Sequence, residues 1–209
     1  MTCRRATTLA LILGLSLVTF RPAAAKSLEV TPFVGAMIPA NSLFLVTGGG
    51  SYIRFTTHTI YGLSFGCPMK DKIGAEIVLA TGTGKMEVIG GTTSLSLGST
   101  AFIADLRGRY RLLGNEGSHL AGVLGVGYTD YNIGLFDLAH ETGQGTYIGR
   151  LTGIVGAEVH GSLSDQMHVN ISLVDRIHES GIGLNLGGLD GSQKTQNDLN
   201  ATLGIAFGL

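Results

Sequence analysis

Three histidines and one acid in this chain could do chemistry together. In the stretches "SHLAGV", "GAEVHG" and "QMHVNIS", His119, His160 and His168 sit at the starts or ends of alternating segments, and Glu158 precedes His160 by two positions. Imidazole ligates borderline metals and titrates near neutrality, so the four residues are candidate metal ligands or members of a proton-linked site. The spacing is not that of a compact motif such as HExxH, and interior polar packing is the plainer reading of the same residues. A second candidate is "HVNIS", where His168, Asn170 and Ser172 share one face of a strand. A lipid-directed hydrolase would need the imidazole within hydrogen-bond reach of the hydroxyl, and two-residue spacing alone does not supply that. The glycine clusters at 47–51, 80–84 and 186–191 do not lead from a strand into a helix with Lys and Ser/Thr in place. They are therefore not phosphate loops and are expected to be flexible external loops.

The elements that hold these residues are strands. Eight segments alternate between apolar and small or polar side chains, the period of a pleated strand. They run 28–37, 58–66, 73–80, 100–111, 119–128, 147–160, 167–177 and from about 197 to the end. The apolar sets include Leu28, Val30 and Val34; Tyr61, Leu63 and Phe65; Ile73, Ile77 and Leu79; and Phe102, Leu106 and Tyr110. Later strands contribute Leu124, Val126 and Tyr128; Leu151, Val155 and Val159; Ile171 and Leu173; and Leu199, Leu203, Ile205, Phe207 and Leu209. The connections alternate between about 19 and about 6 residues, the rhythm of a membrane barrel with long external loops and short periplasmic turns. The sequence therefore predicts an all-β fold, an eight-stranded antiparallel up-and-down transmembrane β-barrel. An even strand number puts both chain ends at the periplasmic rim.

The face opposite the apolar one decides between a membrane barrel and a soluble, lipocalin-like carrier. A water-facing exterior would carry many Lys and Glu. Here that face is mostly Gly, Ser, Thr and Ala, with five acids (Glu29, Glu76, Asp105, Glu158, Asp198) and five arginines (Arg107, Arg109, Arg111, Arg150, Arg176). Small residues fit the narrow interior of an eight-stranded barrel. Equal numbers of opposite charges predict a neutralised lumen network, because an unpaired charge there costs several kcal/mol. Tyr61, Phe102, Tyr128 and Tyr147 fall toward the external ends of the strands, and Phe65, Tyr110 and Phe207 toward the periplasmic ends. Two aromatic girdles are what the bilayer interfaces favour.

The start of the chain is a different kind of segment. "MTCRRATTLALILGLSLVTFRPAAA" has Arg4 and Arg5, an apolar run from Leu9 to Phe20, and Ala23-Ala24-Ala25. This reads as a cleaved export signal over 1–25, with the barrel over 26–209; the run is shorter than the roughly 20 residues of a spanning helix. The whole chain carries a formal charge of −1, and loss of Arg4, Arg5 and Arg21 gives −1 − 3 = −4. That balance excludes a basic nucleic-acid surface. With Cys3 in the leader, only Cys67 remains, so no intrachain disulfide is expected.

Two stretches carry a resemblance. "LEVTPFVGAMIP" resembles the opening strand of small outer-membrane β-barrel proteins of the OmpA-like type. "TLGIAFGL" resembles the C-terminal assembly signal of such barrels, with Thr202, Gly204, Phe207 and Leu209 at the signal positions; the family usually ends on Phe or Trp. The resemblance implies insertion into the cell outer membrane by the barrel assembly machinery, contact with outer-membrane lipid, a monomer and no cofactor. It implies no particular activity, and a peptidoglycan-binding domain like that of some relatives is not expected after the barrel. A structural or loop-mediated role with a plugged or very narrow lumen is expected. A small-solute channel, a lipid-modifying hydrolase and a soluble carrier are the alternatives.

Overall fold

In the computed structural model, residues 28–40, 44–46, 51–70, 72–90, 93–133, 147–180 and 194–209 are described. The expected signal segment, the glycine runs at 47–50 and 186–191, and the Tyr147 side chain lie outside the described residues. Among the described residues, ten strands form one antiparallel sheet: β1 (Glu29–Pro39), β2 (Phe44–Val46), β3 (Ser51–Phe55), β4 (His58–Lys70), β5 (Ile73–Gly90), β6 (Thr93–Gly114), β7 (Ser118–Ile133), β8 (Tyr147–Ser162), β9 (Met167–Ser180) and β10 (Lys194–Gly208). Eight of them close into a ring. β1 pairs with both β4 and β10, the order runs on through β9, β8, β7 and β6, and β6 returns to β5 beside β4. β3 continues the line of β4 along the upper part of β5, with Tyr52 opposite Ile89 and Phe55 opposite Met86, and β2 pairs with β3.

Side-chain exposure follows the expected parity on every ring strand. Outward positions such as Val34, Leu63, Leu79, Leu106, Val126, Leu151, Leu173 and Leu203 are exposed, while the interleaved Glu29, Ser64, Glu76, Asp105, Glu158, Asn170 and Asp198 are buried. Exterior and interior are thus reversed relative to a soluble domain. The girdle residues Tyr61, Phe102, Tyr128, Phe65, Tyr110 and Phe207 are all exposed on the outer face. Tyr128 lies directly over Gly149, where a Cβ would collide with the phenol ring.

The short turns fall where the sequence puts them. Gly114 adopts φ 93°, a conformation open to glycine, and the Asn115 side chain accepts from the amides of Gly117 (3.0 Å) and Ser118 (2.9 Å) to close the turn. The long connections differ from expectation. Residues 81–99, expected as a loop, are mostly a hairpin in which β5 and β6 stay paired from Thr81↔Phe102 to Gly90↔Thr93. The cluster 80–84 is therefore strand, not loop. Beyond Leu79 the outward residues become Thr81, Thr83 and Lys85, so the apolar alternation stops although the strand does not. Gly84 has a packing reason: a Cβ there would meet the His58 ring at 2.5 Å.

Two outcomes are expected from this arrangement. Gly84→Ala should push against the buried His58 ring and destabilise the folded chain by about 1–3 kcal/mol, measured by denaturant unfolding in detergent. Leu106→Arg, in the middle of the outer face of β6, should cost about 2–4 kcal/mol in lipid vesicles, and much less in short-chain detergent, where the head group reaches water.

Candidate functional site

The lumen is filled in layers. Nearest the long connections is an apolar cluster of Met37, Phe55, Ile60, Met86, Ile103 and Tyr131, with smaller alanines between them. Phe55 stacks on Tyr131 at 4.6 Å and 15°. His58 is wholly buried in this layer. Its Nδ1 donates to the Thr56 carbonyl at 2.8 Å, and its Nε2 lies 2.8 Å from the Ser99 hydroxyl.

Asp198 lies against Tyr131 at the same end of the lumen. Tyr131 donates its hydroxyl to Oδ2 at 2.6 Å, His178 Nε2 lies 2.9 Å from the same oxygen, and the Gln196 amide reaches Oδ1 at 3.3 Å. Of the residues expected to form one lumen network, Asp198 is thus held apart, by a phenol and an imidazole rather than by an arginine. Arg150 lies half-buried on the inward face of β8.

Seven of the others, Glu29, Glu76, Asp105, Arg107, Arg109, Glu158 and Arg176, are joined. Asp105 Oδ2 accepts from Arg176 Nη1 at 2.5 Å and from Arg107 Nη2 at 2.7 Å. The second Arg176 arm donates to the Thr129 hydroxyl at 2.7 Å. Arg107 also reaches Glu76 at 3.5 Å. Arg109 lies 3.1 Å from Glu158, 3.8 Å from Glu76 and 3.7 Å from Glu29, and donates to the Cys67 carbonyl at 3.0 Å. These ion pairs span from β6 to β5, β8, β9 and β1 across the lumen. Glycine makes room for them, since a Cβ on Gly127 would overlap the Asp105 carboxylate. A small cavity of ≈ 30 Å³ lies between this layer and the apolar cluster, bordered by Ser64, Glu76, Arg107, Asn170, Ser172 and Asn200. Its size suits one or two waters, and Ser172 Oγ and Asn200 Oδ1 take no hydrogen bond from the protein.

The histidine group lies at the turn rim. His119 and His160 are cross-strand partners and stack at 4.8 Å; His160 and His168 are diagonal neighbours at 4.6 Å. The acid that joins them is not Glu158, which is engaged by Arg109, but Glu29. Its Oε1 lies 3.6 Å from His160 Nε2, and ligand atoms of Glu29, His160 and His168 all lie within 4.8 Å of one another. Parity alone assigns Glu29 to the charge network. Its place beside the histidines follows from ring closure, which brings β1 around next to β10 and β9. In "HVNIS", Asn170 and Ser172 are buried in the lumen. Ser172 Oγ has no partner, and the His168 ring packs on His160, so no base–nucleophile pair forms.

Comparison with solved structures agrees with the closed ring. OprG of Pseudomonas aeruginosa superposes with a TM-score of 0.59 at 18% identity, over 88% of this chain and 95% of that one. Neisserial surface protein A superposes with a TM-score of 0.55 at 9% identity, over 86% and 96%. The chain has the fold of the small outer-membrane β-barrel proteins. No family model matches it, and no curated protein does. In this barrel Thr202 and Gly204 of the expected assembly signal face inward, and Phe207 and Leu209 face outward on and just past β10.

The ion-pair layer generates a stability test. Arg176→Met leaves Asp105 short of its closest cation and should destabilise the barrel by about 3–5 kcal/mol. Adding Asp105→Asn should recover part of that loss, because the stranded charge goes too. Urea unfolding of the two single variants and the double variant measures the coupling.

Proposed function

We propose that this protein is an exported, monomeric outer-membrane barrel with a closed lumen and a structural or loop-mediated role, without enzymatic activity. The observation that carries the reading is how the interior is filled: a buried apolar cluster lies near the long connections, and ion pairs among Asp105, Arg176, Arg107, Glu76, Arg109 and Glu158 lie in the middle. Both narrow the path that a conducting pore of this width would need open, which supports a closed lumen. The reversed polarity of the two faces, together with the likeness to OprG and Neisserial surface protein A, supports location in the outer membrane. It speaks against a lipocalin-like carrier, which needs an apolar cavity and a polar exterior. The unpaired Ser172 hydroxyl weighs against a lipid hydrolase built on His168.

In this reading residues 1–25 are the cleaved export signal. β10, with Thr202, Gly204, Phe207 and Leu209, is the strand read by the assembly machinery, and outer-membrane lipid covers the apolar band. Binding to partners outside the cell falls to the long connections, which carry no motif that names a ligand.

The test pairs two measurements on protein from washed outer membranes. Unheated and boiled samples should migrate differently on a gel, since a closed barrel resists unfolding by detergent alone. The unheated form should give no unitary conductance in planar bilayers. Discrete, ohmic conductance steps would replace the closed-lumen reading with that of a small-solute channel. Recovery in the soluble periplasmic fraction with no gel shift would remove the membrane reading altogether.

A further inference from the structure

We propose that Glu29, His160 and His168 form a binding site for one borderline divalent transition-metal ion, Zn²⁺ being the type case, at the turn rim of the lumen. The site needs only the folded ring and does not rest on the lumen being closed.

Three strands supply the ligands. β8 presents His160, and β9 presents His168 diagonally across from it, since His160 is opposite Asn170 and Ser162 is opposite His168. β1 presents Glu29, which enters the group because β1 and β9 flank β10, with Glu29 opposite Gly208 and His168 opposite Ala206. One ligand atom from each lies within 4.8 Å of the other two. Zinc bonds of about 2.0–2.2 Å need these atoms closer, so binding draws the three side chains inward by about 1 Å. Side chains at a rim can make that rotation without moving the strands.

Two further observations point to a cation here rather than to simple packing. The first is the unmet hydrogen-bonding capacity of the histidines. His160 Nδ1 and His168 Nδ1 are buried and take no partner from the protein, although burying such a group unpaired is costly. The second is how loosely Glu29 is held. Its contacts to His160 and Arg109 are 3.6 and 3.7 Å, whereas Asp105 and Glu158 are gripped at 2.5 to 3.1 Å. Its carboxylate can turn to a metal without breaking a short ion pair. Two imidazoles and one carboxylate are a donor set for zinc and its neighbours, with a fourth position left for water, and they disfavour Ca²⁺ and Mg²⁺, which want oxygen ligands. His168 is only half-buried, which leaves a path for an ion to enter from the rim. Bound there, the metal would tie β1 to β8 and β9 by coordination as well as by the sheet.

The test uses the full, untagged chain folded in detergent and titrated with Co²⁺. The expected result is the ligand-field absorption of tetrahedral Co²⁺, saturating at one ion per chain and displaced by Zn²⁺. His160→Ala and the size-conserving Glu29→Gln should each weaken binding by at least about tenfold, while both variants keep the gel shift of the folded barrel. His178→Ala, whose ring contacts Asp198, should leave the titration unchanged. The proposal is overturned if the wild-type chain shows no such band, or if the band persists at full strength in a folded His160→Ala/His168→Ala double variant.

Discussion

The pairing of β1 with β10 is the contact on which the rest of the molecule depends. Without it the sheet would have two open edges, and backbone groups left unpaired in hydrocarbon cost several kcal/mol each. Its register also fixes everything else. Val30 lies opposite Phe207 and Val34 opposite Leu203, so the outward sets of the first and last strands form one surface. A slip of one residue would turn Glu29 outward and Val30 inward, because side chains alternate with a period of two. The ring is finished at the turn rim by the Leu209 amide donating to the Leu28 carbonyl at 2.8 Å. Glu29 of β1 comes beside His160 of β8 through that closure, by way of β10 and β9.

Closure then dictates what the lumen must do. Eight strands enclose a space that side chains just fill, so a charge placed there must find its partner along its own strand, on a neighbouring one or across the barrel. Arg176 is fully buried and is held by Asp105 from β6 and Thr129 from β7. Arg109 is shared among carboxylates from three other strands. Such pairs add little net stability compared with apolar packing, but removing one partner is costly. The layer therefore acts as a specification. It favours one register among those that differ by two residues, which the alternation of the outer face alone does not separate.

How much of this is legible in the sequence depends on what lies outside each strand. Where the exterior is apolar, alternation reveals both the strand and its inward face. Glu76, Asp105, Arg107 and Arg109 are placed in the lumen by parity alone. Where the strand runs on beyond the apolar band, both faces lose contrast. Thr83 and Lys85 face outward in β5 as they would in a loop, so the hairpin of β5 and β6 is invisible to periodicity. The apolar cluster is hidden for the same reason: Phe55 and Met86 are buried beside the outward-facing Arg54, Lys85 and Glu87. Partner choice is a further step that sequence does not carry. Parity puts Glu29, Glu158, Asp198 and the histidines inside. It does not say that Arg109 takes Glu158 and leaves Glu29 to His160, or that Asp198 pairs with Tyr131 and His178. Those choices depend on the stagger of the ring.

The edge of the apolar band can be traced strand by strand, and it sets where the protein stops meeting lipid. On the outer face the first polar residue above the band is Thr59 after Tyr61, Thr81 after Leu79, Thr100 after Phe102, Asp130 after Tyr128, and Asn197 before Leu199. On β9 it is Asp175, which accepts from the Asn197 amide at 3.2 Å. A carboxylate at that position would be costly in hydrocarbon and is unexceptional at the interface, so the Asp175–Asn197 pair marks the boundary. The outward run from Leu199 to Leu209 fits the roughly 9–11 residues that a tilted strand needs to cross. By the same measure β5 continues from Thr81 to Gly90 outside the band, roughly 30 Å of paired strand at about 3.4 Å per residue. Beyond the band this barrel therefore continues as paired β-structure, with Phe55 and Met86 buried in the apolar cluster beside it.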